Sequence, residues 1–273
     1  MVFIRHALVV LLIAVASLSA RADDILFFGN SFTAGDTAPA VSKNGGVPAL
    51  FKEIALAKGR QVETLAVTVG GMDWSYHLGQ PATDKALGLK SWTWVVLQDH
   101  SLRPTSAGNA VQFLRDGEVF SQRIASISPH AGILLYETWA RPPGEFYQKR
   151  PGNVFSGPAQ MMDDLHESYR RLRNDLAARN LNPAVRVALV GTAFARVAAE
   201  YPAINLNAVD QHHATAEGYY LAALVMYETI YHDSAKGAPT SFFHGEQVFA
   251  ADVAAKLQAV ADEVAGVAFV PAK

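Results

Sequence analysis

The chain has 273 residues, with 23 Lys and Arg against 25 Asp and Glu and a formal net charge of −2. That balance argues against a surface for nucleic acid or for an anionic membrane. With no cysteine present, thiolate catalysis, iron–sulfur clusters and cysteine-ligated zinc are excluded, while a serine hydrolase stays open.

Residues 1–22 read as a signal peptide. Arg5 and His6 form a short positive region, Ala7 to Leu18 an apolar run, and Ser19-Ala20-Arg21-Ala22 a small-x-small cleavage site. The apolar run, about 12 residues, is short of the roughly 20 that span a bilayer. Cleavage after Ala22 leaves Asp23 first and, with Arg5 and Arg21 gone, a net charge of about −4. The expectation is an exported protein, periplasmic or extracellular, without stable membrane insertion. Residues 23–273 are expected to form a single domain, long enough for a sizeable core without disulfides.

Within that domain, short apolar runs alternate with amphipathic segments. The predicted strands are Ile25–Phe28, Val62–Val69, Trp94–Gln98, Gly132–Thr138 and Val185–Val190. The predicted helices are Val47–Lys58, Ala110–Ile127, Ala159–Arg179 and Val248–Val264. Continuous apolar strands suit a parallel sheet buried on both faces. The β-α alternation predicts a three-layer, doubly wound α/β fold. Arg141–Pro158 holds four prolines and three glycines, so it reads as a loop, placed after a strand where it could wall a site. Residues 234–247 read as a connection between two late helices.

The first strand runs into Gly29-Asn30-Ser31-Phe32-Thr33, which sets a hydroxyl at the carboxyl edge of the sheet, where open α/β folds bind ligands. Ser31 or Thr33 would equally serve as a helix N-cap. Near the other end lies Asp210-Gln211-His212-His213-Ala214-Thr215. If the segment forms one helical turn, Asp210 and His213 point the same way. The carboxylate then fixes the imidazole tautomer and frees the second nitrogen to take a proton from serine. The same residues also read as a helix start capped by Asp210 or Thr215. On any regular element His212 faces away from His213, so it stands outside this pair.

These residues resemble the SGNH/GDSL hydrolase superfamily. Gly29-Asn30-Ser31 matches its first block, and Asp210, His213, Thr215 and Gly218 match its last, with Ala214 where proline is frequent. The resemblance implies a flavodoxin-like fold, Ser31 as nucleophile, His213 as base, Asp210 as its orienting acid, and no cofactor. It implies an oxyanion hole from the Ser31 backbone N–H, a glycine after the second strand (Gly70 or Gly71) and a third-block amide. The usual Gly-x-Asn-Asp is absent there, and Gln98 takes the place of the asparagine. Similar glutamines occur in carbohydrate-esterase-like branches, which makes a small acyl group on a carbohydrate the preferred substrate. A lipid or lysophospholipid ester is the competing one, and a non-hydrolytic glycan-binding envelope protein is the reading from another class.

Asn30 and Trp139 are candidate substrate contacts. Asn30 alternatively holds the serine loop, and Trp139, an aromatic at a strand edge, alternatively covers the core, which is the preferred reading of such aromatics. Trp74, Tyr76 and His77 after the Gly-Gly pair are read as covering the core, and His166 with Asp163 and Glu167 as a solvated helix face. No aspartate-rich loop or His-Glu-x-x-His run supports a metal.

Overall fold

A computed structural model describes residues 22–148 and 154–268. The expected signal peptide, apart from Ala22, therefore lies outside the described residues. Five strands, β1 (Asp23–Gly29), β2 (Val62–Thr68), β3 (Trp94–Leu97), β4 (Gly132–Tyr136) and β5 (Val185–Ala188), form one sheet. Its order is β2-β1-β3-β4-β5 and every pairing is parallel. This is the flavodoxin-like doubly wound order, whose crossover direction reverses between β1 and β3. The carboxyl ends of those two strands carry Ser31 and Gln98.

The alternation of side chains along each strand divides the core into two layers. Ile25, Phe27, Val96, Leu134 and Tyr136 pack on one face, against α1 (Gly46–Ala57), α4 (Val190–Glu200), α5 (Ala216–Tyr231) and α6 (Ala251–Ala268). Leu26, Phe28, Val95, Leu97, Ile133 and Leu135 pack on the other, against α2 (Ala110–Ile127) and α3 (Pro158–Arg179). All eleven of these strand side chains are buried.

The local signals explain the helix ends. Pro158 starts α3, where its missing N–H costs nothing, and Asn180 ends it in the left-handed region at φ 52°. Thr215 caps α5 through its side chain. The cap expected at Ser31 or Thr33 instead falls on Asn30, whose side chain accepts the Phe32 N–H at 3.1 Å. Helix α4 starts at Val190, which the apolar pattern assigned to a strand. The connection before α6 contains a two-stranded hairpin, Ser241–Phe242 with Gln247–Val248. No helix among the described residues is long and apolar enough to cross a membrane.

Candidate active site

Strand β1 ends at Gly29, and a single helical turn, Ser31–Ala34, follows at once. A Cβ on residue 29 would lie 2.2 Å from Thr33 Oγ1 and 2.7 Å from Gln98 Oε1, so only glycine fits this bend. Ser31 is thereby held at the N-terminal position of the turn. The histidine loop reaches it from the far end of the chain. Asp210 Oδ1 accepts the backbone N–H groups of His212 and His213, each at 2.9 Å. Asp210 Oδ2 lies 2.6 Å from His213 Nδ1, and His213 Nε2 lies 2.9 Å from Ser31 Oγ. A carboxylate only accepts, so Nδ1 carries the proton and Nε2 faces the serine with its lone pair. The expected turn geometry and the alignment of the three side chains thus occur together.

Two further bonds join the segment after Ser31 to the histidine loop and to the helix that follows it. Thr37 Oγ1 donates to the Ala214 carbonyl at 2.8 Å, and Tyr219 Oη donates to the Asp36 carbonyl at 2.6 Å. Thr37 adopts φ 75° to do so, a strained conformation for a β-branched residue. Gln211 lies at φ 57°, which breaks the regular turn. His212 accordingly does not face away from His213: the two rings meet edge to face with centroids 4.4 Å apart.

The charges follow from these contacts. Partial burial opposes ionisation of Asp210, but hydrogen bonds from the His213 ring and from two backbone N–H groups outweigh it and hold the carboxyl at about 2. Burial, then the nearby Arg141 and His213, holds the His212 ring at about 3. Asp210 is therefore anionic and His212 neutral across the physiological range.

The remaining candidates fall into two groups. Gly70 and Gly71 lie exposed on the turn after β2, closed by Met72 N–H to the Val69 carbonyl at 3.1 Å. Gly71 takes φ 73°, as the third residue of such a turn often does. No hydrogen bond engages the N–H of Ser31, Gly70 or Gly71 among the described residues. Gln98 stands differently from expectation, while Asn30 and Trp139 take the loop-holding and core-covering alternatives rather than contacting substrate. Gln98 is 1% exposed, and its Oε1 accepts from Asn30 N–H and Thr33 Oγ1, each at 2.9 Å. Its Nε2 donates to the Asp99 carbonyl. The expected donation from this amide to an oxyanion is replaced by bonds within the protein.

Asn30 is buried, donating through Nδ2 to the Met72 carbonyl at 3.0 Å, so it braces the serine turn against the Gly-Gly turn rather than facing substrate. Trp139 is 0% exposed and sandwiched between Phe32 and Phe194, at centroid distances of 4.3 and 4.4 Å. It is a core residue, with Nε1 donating to the His212 carbonyl at 3.2 Å, because the histidine loop covers it. His166 lies on an exposed helix face with Asp163 and Glu167, as expected, and its Nδ1 also lies 3.0 Å from the buried Glu137, which raises its pKa.

Sequence reasoning missed three braces. His77 Nε2 donates to the Gly29 carbonyl at 2.9 Å, Thr33 bonds Gln98, and Arg141 donates to the His212 carbonyl at 3.2 Å. Their only sequence signal is position after a strand or beside a glycine. The loop after β4 does wall a cleft of about 470 Å³, where Arg141, Pro142, Pro143 and Phe146 face Asp210 and His212. No group of three or more His, Asp or Glu side chains among the described residues could hold a metal ion.

No family model matches the chain. No curated protein matches it either. Solved structures do. A DUF4886 family protein from Bacteroides uniformis is 15% identical with a TM-score of 0.66, covering 89% of this chain and 94% of that one. The psychrotrophic esterase EstA from a Pseudoalteromonas species is 15% identical with a TM-score of 0.52, over 76% and 96% of the two chains. An acetyl xylan esterase is 16% identical with a TM-score of 0.54, over 76% and 99%. The fold is that of the SGNH/GDSL hydrolases, as the sequence resemblance implied.

Proposed function

We propose that this chain is a serine esterase. The observation that carries the reading is the continuous path Ser31 Oγ–His213 Nε2 at 2.9 Å and His213 Nδ1–Asp210 Oδ2 at 2.6 Å. A serine hydroxyl is a weak nucleophile until an adjacent base takes its proton. His213 does so as Ser31 attacks the ester carbonyl, and Asp210 stabilises the imidazolium that forms. The tetrahedral oxyanion is received by the free N–H of Ser31 with that of Gly70 or Gly71. His213 returns the proton to the departing alcohol, then activates the water that cleaves the acyl-enzyme. No cofactor enters these steps.

Export and a carbohydrate substrate belong to the same proposal. The signal-like segment of residues 1–22 supports secretion, and the fold likeness to an acetyl xylan esterase supports removal of a small acyl group from a glycan. The test is labelling by a fluorophosphonate probe, with turnover of p-nitrophenyl esters of rising chain length and of acetylated xylan. Wild type is expected to label at Ser31, and Ser31→Ala and His213→Ala to lose label and about 10⁴-fold or more in kcat. A folded wild-type protein that neither labels nor turns over p-nitrophenyl acetate would overturn the esterase reading.

A further inference from the structure

We propose that Gln98 is a positioning residue for the nucleophile, the acceptor of a clasp around Ser31, and that backbone N–H groups alone form the oxyanion pocket. The proposal rests on the esterase reading above.

The orientation of the Gln98 amide decides its role. A backbone N–H only donates, so the bond from Asn30 fixes the amide oxygen toward the serine turn and the NH₂ away from it. Oε1 takes donors from both sides of Ser31, one residue before it and two residues after. The opposite end of the amide is turned to the Asp99 carbonyl, and the residue is 1% exposed. The missing Cβ of Gly29 lets the clasp close, because that atom would sit 2.7 Å from Oε1 and 2.2 Å from Thr33 Oγ1. The Gly29 carbonyl is held from the other direction by His77 Nε2 and by Val69 N–H. A turn pinned this way presents Ser31 Oγ in one place, and a displacement of about 1 Å at a reacting atom can cost about 10²-fold in rate. Gln98 has the length that the clasp requires, since asparagine would fall one methylene short of the turn.

Thr33→Val, Thr33→Ser, Gln98→Ala and the double variant Thr33→Val/Gln98→Ala separate a clasp from an oxyanion donor. Each is followed by kcat and KM on p-nitrophenyl acetate and by the rate of fluorophosphonate labelling, with melting temperature as the folding control. Expected are a loss of about tenfold in kcat with little change in KM for Thr33→Val, and near-normal turnover for Thr33→Ser. The double variant should be no slower than Gln98→Ala, since partners in one contact are non-additive.

An unaffected Thr33→Val beside a Gln98→Ala that loses about 10²–10³, or two losses that multiply, would restore Gln98 as an oxyanion donor. Hydrogen exchange at the Asn30 amide reads the clasp without any chemistry. It should be slow in wild type and fast in Gln98→Ala, and an amide that stays slow in the variant overturns the proposal. A wild-type protein that does not label sinks the esterase reading instead, and the exchange measurement still decides the clasp.

Discussion

At the sheet edge, the chemistry of Asp99 departs far from that of an ordinary carboxylate. It is fully buried, and Oδ1 accepts from Trp74 N–H at 2.9 Å and His100 N–H at 2.8 Å, while Oδ2 has no hydrogen-bond partner. Burial pushes the carboxyl up to about 7, against a smaller opposing pull from Arg103. The folded state thus holds its proton more tightly than the unfolded state. The associated stability is full below the unfolded value near 3.8 and is lost as pH rises toward 7. Asp99→Asn keeps the Oδ1 acceptor and has no proton to lose. It should melt close to wild type at pH 4 and several degrees above it at pH 8. Parallel melting curves at the two pH values would refute this.

Residues also mark how far the sequence could be read. Asp210 and His213 are three positions apart, so any compact turn brings them to one side, and their meeting was legible. The facing of Gln98 was not, since an amide carries donor and acceptor at one end and the chain does not write which faces the serine. His212 was misjudged for a different reason. Its direction depends on Gln211 adopting φ 57°, which no glycine or asparagine announces.

At the level of elements, β1, β3 and β4 were readable because both faces of the sheet are buried there, so each carries an unbroken apolar run, while the half-exposed edge strands β2 and β5 also hold Glu63 and Arg186. Three of the four predicted helices agree with the structure to within a residue at either end, as caps and prolines mark their limits. The short helices Pro39–Lys43, Trp74–Leu78 and Pro81–Leu87 were invisible, because one or two turns give too little periodicity. Trp139 shows what the pattern hides: an aromatic at a strand edge reads the same whether it faces ligand or lies under a loop. Its position in the stack predicts two outcomes. Trp139→Ala should cost about 3–5 kcal/mol of stability, measured by chemical denaturation, and should lower kcat as the His212 carbonyl loses one of its two donors. Trp139→Phe, which keeps one aromatic ring in the stack but loses the N–H and part of the indole, should cost less, about 1–3 kcal/mol. Equal losses for the two would show that packing contributes little. Gly29→Ala is a harsher change, expected to abolish labelling of Ser31, and normal labelling would show that the bend relaxes freely.

For the whole molecule, the first strand begins at Asp23, whose N–H donates to the Gln61 carbonyl at 2.8 Å. Cleavage after Ala22 would then leave no slack between the processing site and the sheet. Sequencing the N-terminus of protein recovered outside the cytoplasm is expected to read Asp23, and retention of the first 22 residues would refute the signal-peptide reading.

The distance along the chain between nucleophile and base has a kinetic consequence. Ser31 and His213 are separated by 182 positions, and Thr37 ties the same two loops across 177. Contacts of that separation pay a large loop-closure entropy and tend to form late. Reactivity therefore serves as a clock for the last stage of folding. During refolding from denaturant, helical circular dichroism should return first, and Ser31 should become reactive to a phosphonate only after α5 has docked and closed the chain on itself.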